Sequence, residues 1–424
     1  MPAFGELFGS VLVYIEIIFR FWWIWSAPLT VALFIPTLLS WRQALYKRNV
    51  DWSIYELRMP REIDRSPKAM EQFFAALYGL RNTPGDFLDK YQTGEVTLWF
   101  SFELVSLEGD LRFFIRIPTK HARVVLGNLY ANYQTIDIEE VADYMDKFPV
   151  TVDGLSQHGY DIWSAEFKLN EPDVHPLRTY EEFEDIEDAM NIDPIAGFLE
   201  TFSRLSPGEN VMLQILVRPA DILWKEKAEK TVEELKKKGT RVFTGPSGEY
   251  EDKPIRTPGE IETLKSIERK MSKPPFETTI RYIYVAKQEL MNLDFARRSM
   301  MSAFNQFASP TSNTFARNPK TTTDIKWTYR PWIFSQRRLA ARKRRMYYHY
   351  RTRAMPAESR MSAFLALHPL HFNLTPSVFV LSSEELASIY HPPTKVVLTG
   401  QLIERAPSKR LGPPLGLPIF RETR

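Results

Sequence analysis

One stretch stands apart in the pattern of apolar and polar positions: residues 21–41 carry no charge at all. That matches the ~20 apolar residues needed to cross a bilayer core. Trp22, Trp23 and Trp25 stand at one end and Trp41 at the other, where indole rings prefer the headgroup layer. Pro28 and Pro36 would kink such a helix, which lipid-embedded helices tolerate. Residues 7–19 are apolar but hold Glu16, and Arg20 follows. They read as an interfacial or partly inserted helix, or as one arm of a helical hairpin. The start lacks a basic region and a small-residue cleavage site, so an anchor is expected rather than a cleaved signal. Arg42, Lys47 and Arg48 follow the span and Arg20 alone precedes it. This bias predicts a single pass through the cell membrane with the C-terminal domains in the cytoplasm.

Beyond the span the periodicities alternate between strand and helix. Residues 51–65 read as a charged connector. Ser66 and Pro67 then open a helix whose inner face is Met70, Phe73, Phe74 and Leu77, three and four apart. Val96 to Leu104 alternate as a strand, residues 107–110 turn, and Leu111, Phe113, Ile115 and Ile117 alternate again with Arg112 and Arg116 outward. A helix with Ala122, Val125, Leu126 and Leu129 inside follows, then a strand near 161–169.

A second block repeats the theme: helix 193–204, strand Val211–Val217, helix 221–238, a polar loop at 239–256, and a helix opened by Thr257, Pro258 and Glu260. Ile261, Leu264, Ile267 and Met271 form its expected core face. Phe276, Ile280, Tyr282 and Tyr284 mark a strand and 288–307 a helix.

The expected fold class is α+β. An N-terminal transmembrane helix is followed by two small split-βαβ, ferredoxin-like antiparallel sandwiches with helices on one face, then a Pro-rich C-terminal segment. The domains would be 1–48 (membrane anchor), 49–175 and 176–310 (α+β), and 311–424 (basic segment, short helix and Pro-rich tail). Within the last, residues 309–327 read as a loop and 378–391 as a short strand, a Ser382 or Ser383 cap, and a helix with Glu384 and Glu385 in its first turn.

Composition removes whole classes of chemistry. There is no cysteine, hence no disulfide, thiolate metal site, iron–sulfur cluster or thiol nucleophile. A net charge of +3 excludes a uniformly basic coat, although not a local patch. No phosphate loop, dinucleotide glycine fingerprint, HExxH or nucleophile elbow occurs. The TGPSG run at 244–248 reads as a turn, and His368 and His371, flanking Pro369, read as loop residues. Glu139–Glu140 read as solvated and Glu384–Glu385 as serving a helix start. No catalytic residue, cofactor or metal is expected, so the chain is read as non-enzymatic.

One run carries more. From 326 to 353 lie Lys326, Arg330, Arg337, Arg338, Arg342, Lys343, Arg344, Arg345, Arg351 and Arg353 with no acid among them. Tyr329, Trp332, Phe334, Tyr347, Tyr348 and Tyr350 are interleaved. Arginine with aromatics suits phosphates and stacked bases, and it suits an anionic membrane equally. A third reading is a helix paired to acids elsewhere, for which Glu181, Glu182, Glu184, Asp185, Glu187 and Asp188 are candidates.

Several segments resemble an uncharacterised membrane-anchored family. Its members precede, or accompany as a separate chain, the HerA/FtsK-type ATPase of conjugation-like type IV secretion systems. The segments are ELRMPREIDRSPKAMEQFFAALYG (56–79), FSFELVSLEGDLRFFIRIP (100–118), LYANYQTIDIEEVADY (129–144) and GENVMLQILVRPADILWKE (208–226). They continue with ERKMSKPPFETTIRYIYVAK (268–287), AFNQF (303–307), FVLSSEELASIYHPP (379–393) and GPPLGLP (412–418).

The resemblance implies the membrane and adaptor half of a DNA-translocating machine. The motor ATPase would be a separate polypeptide, docked through Glu384, Glu385, Leu386 and Tyr390. The lipid bilayer, DNA and a second copy of the chain are the other partners considered. Two positions depart from the family pattern: its usual Asn-Thr is Ser382–Ser383 here, and its His-Phe-Pro is His391–Pro392–Pro393. A membrane-tethered nucleic-acid-binding module is the alternative function.

Overall fold

The computed structural model describes residues 16, 20–59, 65–82, 88–184, 193–238, 240–244, 250–254, 257–309, 312–324, 335–356 and 376–393. Most of the first nineteen residues, Lys326, Arg330, Tyr329, Trp332, Phe334, His368, His371 and the Pro-rich tail lie outside them. The chain divides into two units. One comprises Met1–Asp51, Asn82–Leu98 and Pro356–Phe372, and the other Trp52–Arg81, Trp99–Met355 and Asn373–Arg424.

The first unit is built on helix α1, Trp22–Arg48, with Pro28 and Pro36 inside it. Thr30 and Thr37 hydroxyls each donate to the carbonyl four residues back at 2.7 Å, a local bond that serine and threonine make readily in helices. The helix is long and apolar enough to cross a membrane, and none of its apolar window is buried. A π-helical turn, Asp89–Thr93, packs against its C-terminal end. Contact is close because Gly94 has no side chain: a Cβ there would lie 2.6 Å from the Arg42 carbonyl oxygen and 2.7 Å from the Gln43 nitrogen. Gly94 also sits at φ +72°, where a Cβ costs ~1–2 kcal/mol. Gly94→Ala is therefore expected to lift the turn off the helix. Amide exchange at 88–95 should accelerate at least ~10-fold, given ~1.4 kcal/mol per decade; unchanged exchange would contradict the close approach.

The second unit is organised by strands β1 Trp52–Arg58, β2 Phe100–Leu107, β3 Asp110–Pro118, β4 Asp137–Val141, β5 Tyr160–Leu169, β6 Glu209–Pro219, β7 Thr240–Thr244, β8 Tyr250–Pro254, β9 Pro275–Lys287, β10 Phe315–Arg317 and β11 Phe379–Ser382. Its helices are α2 Lys68–Tyr78, α3 Ala122–Asn132, α4 Val152–Gln157, α5 Ala196–Ser203, α6 Ile222–Lys238, α7 Pro258–Ser272, α8 Leu293–Asn305, α9 Ser335–Arg351 and α10 Ser383–Ile389. A single helical turn covers Glu181–Glu184. Among the described residues the strands form a nine-stranded sheet in the order β10-β5-β9-β6-β2-β3-β1-β4, with β11 pairing β9; β7 and β8 make a separate hairpin. Every pairing is antiparallel.

The two blocks expected as separate sandwiches share this one sheet. β2 of the first block pairs β6 of the second along its whole length, Phe100↔Val217 to Leu107↔Asn210. β6 and β9 lie at its centre and are buried along nearly all their length, since both faces are covered. On one face α2, α3, α5, α8 and α10 pack on Phe102, Phe113, Leu213, Ile280 and their same-parity neighbours. The opposite face carries Val105, Phe114, Met212 and Ile283 beneath α4, α9 and the turn at Tyr144–Lys147. Helices therefore cover both faces, where one was expected.

Other corrections follow from the same layering. The expected connector at 51–65 contains β1, which lies inside the sheet between β3 and β4; Glu56 and Arg58 disguised its alternation. The strand expected from Val96 begins at Phe100, β4 was not anticipated, and the loop at 239–256 contains the β7–β8 hairpin. The 309–327 loop includes the short strand β10. The capping box expected at Thr257 and Glu260 opens α7, and of the two cap candidates before α10 the cap is Ser382, in a capping box with Glu385. Ile261, read as core, is exposed on α7.

Candidate functional site

A row of polar side chains crosses the sheet at one register, on the face beneath α9. Glu166 of β5 is opposite Arg281 of β9, Arg281 is opposite Gln214 of β6, and Gln214 is opposite Glu103 of β2. All four are buried. Isolated charges there would be expelled, so each needs partners. Arg281 Nε donates to Glu166 Oε1 at 2.9 Å and its Nη1 to the His349 carbonyl at 3.3 Å. Gln214 Nε2 donates to Glu103 Oε1 at 3.0 Å and to the Tyr350 carbonyl at 3.1 Å.

Glu103 is the hub. It accepts from Ser101 Oγ at 2.5 Å, Tyr144 OH at 2.6 Å, Arg353 Nε at 3.0 Å and Arg353 Nη2 at 3.1 Å. Arg353 reaches across to Asp143 as well, with Nη2 donating to Oδ1 at 2.8 Å. Tyr350 and Tyr144 hydroxyls meet at 2.8 Å. Burial would raise the Glu103 carboxyl, but the Arg353 charge and these hydrogen bonds outweigh it and hold it below its ordinary range. Arg353 stands at φ +49°, just past the end of α9, a left-handed turn that swings its guanidinium back under the helix.

The predicted cationic residues can now be placed. Arg342 is buried and donates to the Thr322 carbonyl at 3.0 Å. Lys343 pairs with Asp161 at 2.5 Å and Arg344 with Asp153 at 3.0 Å. Arg345 is half-buried, its Nε directed at His349 Nε2 at 3.4 Å. Arg351 bonds the Met145 carbonyl at 2.6 Å and Asp146 at 2.9 Å. Arg337 is exposed but engaged within the chain, and Arg338 is half-buried. Tyr347 donates to the Pro149 carbonyl at 2.6 Å; Tyr348 is 62 % exposed.

Thus α9 is a strap tied down on the sheet by its own cations. Its carboxylate partners are Asp161, Asp153, Asp146, Asp143 and Glu103. Of the anticipated run at 181–188, Glu181 pairs Arg269 and Glu182 pairs Arg178 instead, and Asp185, Glu187 and Asp188 lie outside the described residues.

His349 adds a pH dependence. Burial, with Arg281 and Arg345 close by, pushes its imidazole down to about 3, against an ordinary value of 6.5. Between those values the unfolded chain binds a proton that the folded chain does not. Stability contributed by the neutral ring is complete above pH 6.5 and declines as pH falls toward 3. Denaturant titrations should show ~2 kcal/mol lost near pH 5 from this residue. His349→Gln should flatten that slope, and an unchanged slope would contradict the assignment.

The α10 residues expected to dock a partner are internal. Leu386 and Tyr390 lie in the core with Phe102 and Phe113. Glu385 pairs Lys270 at 3.0 Å, both side chains 1 % exposed, and Glu384 pairs Arg269 at 3.0 Å. All four are buried, and the two acids are paired within the chain. α10 is instead a staple: β11 extends the pairing of β9, while α10 packs on α2. His391 fastens its end, with Nδ1 2.7 Å from the Ala387 carbonyl and Nε2 2.8 Å from Asp193. Beside the staple, a cleft of about 240 Å³ is lined by Thr179, Glu262, Lys265, Arg269, Ser382 and Glu384 among others. The Arg269 and Glu384 charges in it already face each other.

Sequence reasoning did not single out Glu103, Asp143, Tyr144, Glu166, Gln214 or Arg281. The available signal was a lone charge inside an otherwise apolar strand, as in FSFELVSL and TTIRYIYVA.

No curated protein matches the sequence. A family model described as a domain of unknown function, DUF8128, matches residues 42–401, from the end of the apolar stretch of α1 to beyond α10. Since that match spans most of the chain, the protein belongs to the DUF8128 family.

Proposed function

We propose that the chain is a non-enzymatic, membrane-anchored scaffold or adaptor. The observation that carries this is the combination of an exposed apolar helix with a large folded unit whose buried ionisable groups are occupied with one another. Such pairing suits a rigid platform. A reaction centre, by contrast, needs groups left available to a substrate. Arg42, Lys47 and Arg48 after the span support a single pass with the C-terminal unit in the cytoplasm. Two split-βαβ halves are supported by the strand order: β4-β1-β3-β2 and β10-β5-β9-β6 are both βαββαβ arrangements. They are joined edge to edge through β2 and β6, and the second carries α6, β7, β8 and α7 as an insertion.

The resemblance noted above names the assembly: a conjugation-like type IV secretion machine, with the motor ATPase on another chain. The burial of Leu386 and Tyr390 favours a docking surface elsewhere than Glu384–Tyr390. The test is an affinity pull-down of the full-length protein from its own membranes in mild detergent, with mass spectrometry. Recovery of a P-loop motor with other membrane components is expected. Recovery from the soluble fraction, or with nucleic acid alone that nuclease removes, would reject the adaptor reading.

A further inference from the structure

The first unit holds a surface that neither the anchor nor the adaptor reading assigns. The apolar run of α1 ends at Trp41, and Arg42 is the first charge after it. The turn Asp89–Thr93 is wedged against this level of the helix by Gly94. It is pinned there by Tyr46, whose hydroxyl donates to Glu95 Oε1 at 3.4 Å, and by Asn82, which donates to the same oxygen. A segment distant in sequence is thereby held where the helix would leave the hydrocarbon.

What this segment presents is specific. Leu88 is 63 % exposed. Lys90 is exposed and its ammonium lies 5.7 Å from the Tyr91 ring centre. On the helix, the Arg42 guanidinium lies 5.2 Å from the ring centre of Trp41, itself 54 % exposed. Arg48 is exposed in the last turn. Arg42 and Lys90 thus each have an aromatic companion, the pairing of an amphipathic side chain with its stem in the interface and its head in water. Of the acids described in the segment, Glu95 is held by Tyr46 and Asn82, and Asp89 is engaged within the chain. Arg42 Nε is buried and meets no hydrogen-bond acceptor among the described residues. The exposed charges described on the turn and in the last turn of the helix, Lys90 and Arg48, are therefore positive.

We propose that Arg42, Arg48 and Lys90, with Leu88, Tyr91 and Trp41 as apolar contacts, form a collar that binds the headgroups of anionic phospholipids. This rests on the membrane reading of α1 and deepens it. The collar binds phosphate at the membrane surface, and the Asp89–Thr93 turn is its second wall. Arg42 lies at the headgroup level, Lys90 reaches it from the side, and Leu88 enters the acyl boundary.

The test uses the full-length chain in micelles containing equimolar phosphatidylcholine and phosphatidylglycerol, with retained lipid counted by native mass spectrometry. The wild type should retain phosphatidylglycerol in preference to phosphatidylcholine. Each cation exchanged for glutamine, Arg42→Gln, Arg48→Gln or Lys90→Gln, should reduce that preference roughly fivefold. Rising salt should erode it in the wild type, a readout independent of whether any variant folds. Equal retention of the two lipids, or a preference indifferent to both salt and substitution, would overturn the collar while leaving the anchor intact. Recovery of the wild-type chain without membranes would overturn both.

Discussion

Arg353→Met is expected to destabilise the protein by ~3–5 kcal/mol, the usual cost of leaving a buried charge without its partner. Both Glu103 and Asp143 depend on this one guanidinium, which is 1 % exposed. Without it, the Glu103 carboxylate keeps only neutral donors: Ser101, Tyr144 and Gln214. The backbone there is coupled as well, because Trp99 Nε1 donates to the Arg353 carbonyl at 2.8 Å. Urea unfolding followed by tryptophan fluorescence measures the loss. Pairing Arg353→Met with Glu103→Leu should restore part of it, since an apolar replacement of a whole buried pair is often tolerated. A loss below ~1 kcal/mol, the range of surface ion pairs, would show that the network does not hold the strap.

Tyr390→Ala should be comparably severe, at ~3–5 kcal/mol for truncating a large aromatic in a filled core. The ring lies 5.2 Å from Phe102 and 5.9 Å from Phe113 between centres, and its hydroxyl donates to the Phe114 carbonyl at 3.1 Å. Tyr390→Phe removes only that hydrogen bond and should cost ~1 kcal/mol. The contrast separates packing from polarity. If α10 were a detachable docking element, both variants would leave the unfolding midpoint where it was and change only partner recovery.

The elements were readable where a local signal sufficed. α7 announced itself through Thr257, Pro258 and Glu260, and α10 through Ser382 and Glu385, because capping is decided within four residues. β6 and β9 were legible as apolar runs. β1 was not, since Glu56 and Arg58 meet partners on β3 and β4, more than fifty residues away: Arg112 at 3.4 Å and Glu139. The same distance hid the network. Nothing near Glu103 signals that Arg353 will reach it, and a cluster of arginines and tyrosines has the same composition whether it faces nucleic acid or folds back on a carboxylate. The continuity of the sheet was equally hidden, because pairing of β2 with β6 is a choice made between elements that each look complete.

The staple also sets an order of events during synthesis. Phe102 and Phe113 leave the ribosome early, yet the ring that covers them belongs to residue 390. Through the translation of everything between, that aromatic floor has Phe73 and Phe74 against it but lacks this part of its cover, in a chain already dominated by pairings remote in sequence. A nascent chain in this state exposes the surface that aggregation exploits. Any ribosome that halts before the codon for Tyr390 releases a product with a partly unroofed core. Quality control can therefore tell finished molecules from unfinished ones by whether a single late helix has closed.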